Sequence, residues 1–166
     1  MTRIESRPLG RRVEVSVLVR DPRGRVLLVQ PAYRDDMLLP GGGVHPGESI
    51  ADAAARVLVD SLQIHRPITA VRAIDCAGHN FDTGAVEVVT VVVDGGVMTT
   101  AEARALSLPV DTERLTAVDW APVDQLHAYV LAFTEHRIRA AHTAARLLVQ
   151  LPWPYLGADV EELVAA

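Results

Sequence analysis

The sequence predicts an α/β fold, a sandwich in which helices cover both faces of a mixed β-sheet. Three features support this prediction: an alternating apolar pattern that indicates strands, a glycine-rich loop that leads into an amphipathic helix, and a second helical region near the end of the chain. Strands that precede and follow an internal helix, with another helix closing the chain, are typical of this arrangement.

The first two strands are predicted to form a hairpin. Residues 12–20 alternate between polar and apolar side chains, which is the period of a strand, and the apolar face consists of Val13, Val15, Val17 and Val19. Pro22 and Gly24 supply the turn that follows. Residues 25–30 are therefore predicted to return as the second strand, which Pro31 ends.

The next segment is predicted to be a loop followed by a helix. Residues 37–47 contain four glycines and two prolines, a composition that favours tight turns and close approach of the backbone to a ligand. Ser49 is a suitable N-cap and Asp52 is acidic in the first turn. Apolar residues then recur at three- and four-residue spacing, so an amphipathic helix is predicted from Ser49 to about Gln63.

The remaining elements are read from composition and periodicity. Residues 70–77 and 85–94 are rich in valine and isoleucine and are bounded by glycines, which predicts two strands, the second largely buried. Residues 116–120 are a shorter strand candidate. From Pro122, apolar residues recur with a helical period, so one or two helices are predicted before Pro152.

The 166 residues are predicted to form one domain, with a core over about residues 10–151 and a tail over residues 152–166 that is loosely held or forms a dimer contact. No apolar run is long enough to span a bilayer, and the charged N-terminus argues against a secretory signal. We therefore expect a cytoplasmic protein with no membrane partner. Cys76 is the single cysteine, which excludes an internal disulfide, and a small buried hydrophobic residue is its favoured interpretation.

The charge composition points to a small ligand. The formal net charge of −5 lacks the basic excess of a nucleic-acid-binding domain, so no nucleic acid polymer is expected as a partner. All 16 basic residues are arginine. Because lysine is absent, any phosphate must be met by arginine, backbone amides or a metal ion.

The loop and the helix after it resemble the Nudix box, the signature of the Nudix hydrolase superfamily. Five residues match that signature in register, namely Gly42, Glu48, Arg56, Leu58 and Ile64. The resemblance implies a Nudix-like α/β/α sandwich. It also implies hydrolysis of a phosphoanhydride in a nucleoside diphosphate linked to another group, with Mg²⁺ or Mn²⁺ held by glutamates of the helix.

The chain departs from this signature at the metal-binding positions. The three positions that carry glutamates in the family are Val57, Asp60 and Ser61, so two of the three carboxylates are absent. Gln63 also replaces the glycine of the signature. Mg²⁺ or Mn²⁺ is therefore expected only if the protein is active, and the alternative is a protein with no cofactor.

The resemblance nominates site residues, each with a plainer alternative. The catalytic candidates are Glu48, Arg56 and Asp60, although the first two could be a structural ion pair and the third an exposed helix charge. Gly41, Gly42, Gly43 and His45 are candidates for contact with the substrate, with a solvated turn as the alternative for the histidine. Asp60 and Glu113 are the candidate metal ligands; other acids outside the box are weaker candidates, namely Glu87 on a predicted buried strand, Glu102 in a connecting segment and Asp119.

Two functions are consistent with this sequence. One is a Nudix pyrophosphohydrolase with a reduced metal site and weak activity on a nucleoside-diphosphate-linked compound. The other is an inactive domain of the same fold that binds such a ligand or interacts with a partner. The fold is common to both and does not decide between them. A homodimer is left open.

Overall fold

The computed structural model of the protein describes residues 11–78, 86–109, 113–149 and 151. The strands are β1 Arg12–Arg20, β2 Val26–Pro31, β3 Gly41–Gly43, β4 Val71–Ala77, β5 Val88–Val97 and β6 Leu115–Ala121, and the helices are α1 Ile50–Leu62, α2 Thr100–Ala105 and α3 Ala132–Arg146, with a 3-10 helix at Val123–Ala128.

The strands form one mixed sheet. The order across the sheet is β4, β5, β1, β2 and β6, and β3 pairs with β1 beside this path. The pairing of β1 with β5 is parallel, whereas all other strand pairs are antiparallel. In the pairing of β1 with β2, Arg20 at the end of β1 lies opposite Val26 at the start of β2. At the other end of β1, the neighbouring strand is β3.

Helices cover both faces of the sheet, because successive strand residues point to opposite sides. Val15, Val17 and Val19 of β1 form a buried cluster with α1, while Leu18 belongs to a second cluster with α3. The predicted α/β/α sandwich with a mixed sheet is therefore confirmed.

Helix α1 begins where the sequence places its cap. The Ser49 side chain accepts a hydrogen bond from the backbone N–H of Asp52 at 3.1 Å, which satisfies one of the unpaired donors of the first turn. The helix ends at Gln63, whose φ of 56° is left-handed. Because this conformation favours glycine, it explains why the Nudix box has a glycine at the position that Gln63 occupies here.

Several local expectations were wrong. The loop over residues 37–47 contains the short strand β3, because its glycines pair with β1. Glu102 lies in the unpredicted helix α2 rather than in a connecting segment, and Glu87 precedes β5 and pairs with Arg11 at 2.6 Å instead of lying in a buried strand. Cys76 is exposed rather than buried, because β4 is the edge strand. The predicted tail over residues 152–166 lies outside the described residues.

Among the described residues, no helix is both long enough and apolar enough to cross a bilayer.

Candidate functional site

A cleft of about 910 Å³ lies at one end of the sheet, where β1, β5 and β6 begin and β2 and β4 end. Its size is in the range of small-molecule binding sites. One wall is formed by β3 and α1, and another by the start of α3. The cleft exists because β1 and β2 separate towards this end, so side chains from several elements face the same space.

The glycines of the loop allow close packing at the cleft wall. Gly41, Gly42 and Gly43 pair with β1 and line the cleft. A Cβ at Gly42 would lie 3.2 Å from Cγ2 of Val57, so the loop backbone rests almost directly on helix α1. Glycine is therefore favoured here by close contact with the helix and not by an unusual φ angle.

A charged pair connects this loop to the helix. The Arg56 guanidinium donates to both carboxylate oxygens of Glu48 at 2.6 and 2.8 Å, and to the carbonyl oxygen of Gly43 at 2.9 Å. Glu48 also accepts the backbone N–H of His45 at 2.9 Å. These four bonds hold residues 43–48 of the loop in one conformation.

The same contacts stabilise the ionised form of Glu48. The hydrogen bond from Arg56, followed by that from the His45 amide, lowers the pKa of the Glu48 carboxyl from 4.5 to about 2. The bond to Glu48 raises the pKa of Arg56 in turn. At neutral pH the two side chains are an ion pair, and the low pKa of Glu48 makes its carboxylate a weak proton acceptor.

The helix positions that would bind metal are occupied by other contacts. Val57 is buried at 5% exposure, and the Ser61 hydroxyl donates to the carbonyl oxygen of Val57 within the helix. Asp60 is 49% exposed, with a carboxylate oxygen 3.8 Å from Nη1 of Arg56. The helix face thus presents one carboxylate beside a guanidinium.

These residues do not fit the metal cluster that the Nudix resemblance implies. A hard divalent cation needs several oxygen ligands that converge on one point. Val57 has no oxygen on its side chain, and Ser61 has only a neutral hydroxyl that donates to a helix carbonyl. Among residues 11–78, 86–109, 113–149 and 151, no group of three or more His, Cys, Asp or Glu side chains could hold a metal ion.

The cleft brings together most of the predicted site residues. Asp60, His45 and Glu113 line it, as do Arg56 and the three glycines, and His45 is largely exposed. Glu48 is not among the lining residues and lies behind Arg56, to which it is bonded. Asp119, an alternative acid, is exposed on β6 and accepts the backbone N–H of Trp120.

Sequence reasoning missed the wall that α3 contributes. Phe133 is exposed, and the guanidinium carbon of Arg137 lies 5.8 Å from the centre of its ring. Arg137 is held by Asp75 of β4, with bonds of 2.9 and 2.7 Å. No local pattern marks these residues as a site, because their proximity to the glycine loop depends on how the sheet is assembled.

Comparison with known proteins agrees with the fold. The family model of the NUDIX domain matches residues 10–146. No curated protein matches the chain at significant sequence similarity.

Solved structures with the same fold have low sequence identity. The MutT protein of Methanosarcina mazei is 17% identical with a TM-score of 0.68, over 84% of this chain and 98% of that one. A NUDIX hydrolase of Nitrosomonas europaea is 18% identical with a TM-score of 0.68, over 90% and 98%. An ADP-ribose pyrophosphatase of Streptococcus suis is 18% identical with a TM-score of 0.59, over 81% and 92%.

Proposed function

This chain belongs to the NUDIX domain family, and from that membership we propose that its cleft binds a nucleoside diphosphate linked to a further group, with weak or absent hydrolysis of the phosphoanhydride. The binding surface consists of the glycine loop, from Gly41 to Gly43, together with His45 and Arg56. Backbone amides and a guanidinium are suitable donors to phosphate oxygens.

The proposal rests on one contrast: hydrogen bonds hold the loop of the Nudix box in place, whereas the helix face beneath it lacks two of the three carboxylates that would bind a metal ion. Arg56 still bonds Glu48 and Gly43. In contrast, Val57 is buried and the Ser61 hydroxyl is bonded to a helix carbonyl. The features that shape a ligand site are therefore present without those that hold a metal cluster.

Within this proposal Glu48, Arg56 and Asp60 have different roles. Glu48 and Arg56 position the loop through their ion pair. Asp60 is the carboxylate left on the box face and, with Glu113, is the proposed ligand of one weakly held Mg²⁺ or Mn²⁺ ion in an active protein.

An inactive binding domain is the second candidate, and the burial of Val57 at a ligand position favours it. Both candidates predict ligand binding, and they differ in turnover. ADP-ribose is a suitable first probe, because a protein named as an ADP-ribose pyrophosphatase shares the fold.

The test is a binding titration with ADP-ribose and other nucleoside diphosphate derivatives, followed by a turnover assay in millimolar Mg²⁺. We expect binding, and turnover far below that of a family member with three glutamates on the helix. Asp60→Ala should retain binding and lose any residual turnover, whereas Asp124→Ala, an exposed aspartate outside the cleft, should change neither.

Two results would count against the proposal. If neither ADP-ribose nor any other nucleoside diphosphate derivative binds, the cleft is not a site for such ligands. Fast turnover that disappears in Asp60→Ala would show that a single helix carboxylate suffices for catalysis, contrary to weak or absent hydrolysis.

A further inference from the structure

Arginines outnumber carboxylates around the cleft. The lining arginines come from five different parts of the fold and are Arg12, Arg34, Arg56, Arg114 and Arg137, whereas the lining carboxylates are Glu14, Asp60 and Glu113. The phosphate groups of a bound diphosphate carry negative charge that must be neutralised. In this cleft the groups placed to do so are mainly guanidinium groups.

Two of these arginines are fixed in position by carboxylates behind them. Asp36 accepts two bonds from Arg34, at 2.9 and 2.7 Å. Asp75 accepts two from Arg137, at 2.9 and 2.7 Å, and the Arg137 side chain is only 13% exposed. A side chain that is already fixed loses little conformational entropy when it binds a ligand.

These pairs leave donors for a ligand. A guanidinium carries five N–H groups. The bonds of Arg34 to Asp36, and those of Arg137 to Asp75, use only Nε and Nη2. The Nη1 donors of both arginines are not used in these pairs, so each side chain can bond a phosphate oxygen without breaking its ion pair.

The carboxylates are not arranged to bring in a metal ion instead. Glu14 lies on β1, Asp60 on α1 and Glu113 just before β6. Glu14 lies 3.1 Å from Arg12, and Asp60 lies 3.8 Å from Arg56. A guanidinium next to a carboxylate opposes the approach of a cation, which makes each of these two acids a poorer metal ligand.

We infer that this cleft binds the diphosphate of its ligand directly through arginine, principally Arg34 and Arg137, and that binding requires no divalent cation. The inference rests on the proposed function and adds the mode of recognition. It assigns to guanidinium groups the charge neutralisation that the metal cluster supplies in the family.

The experiment is isothermal titration of the full chain with ADP-ribose and with inorganic pyrophosphate, in EDTA and in millimolar Mg²⁺. We expect affinities in the two buffers that agree within a few-fold. Raising the salt concentration in EDTA should weaken binding, because partly exposed charges are screened.

Variants of Arg34 and Arg137 test whether these two side chains bind the diphosphate. Arg34→Ala and Arg137→Ala should each weaken binding in EDTA by about tenfold or more, as expected for loss of a charge-assisted hydrogen bond. The matched control is Arg139→Ala, also an ion-paired arginine of α3 but outside the cleft, which should bind as the parent does. Arg137→Lys keeps the charge and should bind at an intermediate level, which separates loss of a ligand contact from loss of folding.

The outcomes separate the inference from the proposed function. If ADP-ribose binds in Mg²⁺ and not in EDTA, the inference is wrong and the proposed function stands. If binding in EDTA is unchanged in both arginine variants, the inference is also wrong. If neither probe binds in either buffer, the proposed function fails and the inference fails with it.

Discussion

Gly41 packs directly against the backbone of β1: a Cβ at this position would lie 2.6 Å from the carbonyl oxygen of Val15. A backbone atom cannot move aside as the end of a side chain can. We therefore expect Gly41→Ala to lower the free energy of unfolding by roughly 1–3 kcal/mol, as for other overpacked sites. Gly43→Ala is the matched control, because a Cβ there would have no neighbour within 4 Å. Urea unfolding of both variants measures the difference, and equal stabilities would contradict the packing described for β3.

Gln63 ends helix α1 in a left-handed conformation, with φ of 56°. Gln63→Gly should raise the free energy of unfolding by roughly 0.5–1 kcal/mol, because the relieved backbone strain exceeds the added chain entropy of glycine in the unfolded state. The exposed Ala55 lies within the same helix, and Ala55→Gly should instead lower it by roughly 1 kcal/mol. Opposite signs for the two glycine variants support the assigned helix end; a loss of stability in both would contradict it.

The ion pair of Glu48 with Arg56 makes a specific prediction about acid stability. Folding lowers the pKa of Glu48 to about 2 from its ordinary 4.5. The stabilisation is therefore fully present above about pH 4.5 and is lost as the pH falls through about 2. Thermal unfolding of the parent and of Glu48→Gln from pH 7 to pH 2.5 tests this. We expect the parent to be more stable at neutral pH and the gap to shrink below pH 4.5; a constant gap would show that the charge of Glu48 contributes nothing.

The positions of α1 that carry glutamates in the Nudix signature can be changed to glutamate. The triple variant Val57→Glu, Asp60→Glu and Ser61→Glu should be less stable than the parent without metal, because three carboxylates repel one another and the first replaces a buried valine. Mn²⁺ should raise the unfolding temperature of the variant and leave that of the parent unchanged. If the variant does not respond, or if the parent responds equally, the three positions are not a former metal site.

Much of the fold could be predicted, because its signals are local. The alternating valines of β1 and the cap at Ser49 each determine their own element, and both are where the sequence indicates. Helix α2 also has a local signal in the sequence, since Thr99 and Glu102 form a capping box. Strand β3 had no such signal, because three glycines form a strand only when β1 is alongside.

The candidate site also consists of a part that local sequence predicts and a part that depends on the tertiary structure. Glu48, Arg56 and Gly42 lie within a short stretch of sequence at fixed spacing, so their association could be predicted. The convergence of Arg34 and Arg137 on the same cleft could not, because more than a hundred residues separate them. They meet because the tertiary structure places the segment after β2 and the start of α3 on the same cleft.

The separation of β1 from β2 has a consequence for internal motion. The two strands pair at Arg20 and Val26 and diverge from there, so the sheet consists of a four-stranded part and the pair β2 and β6. At the cleft these two parts are linked through the segment from Leu38 to Gly43, which bonds Val29 on one side and β1 on the other. A ligand in the cleft would touch both parts at once and act as a crosslink. We therefore expect amide hydrogen exchange to slow on ligand binding in residues 38–43, which link the two strands at the cleft, and to stay unchanged near Arg20, where the strands pair directly.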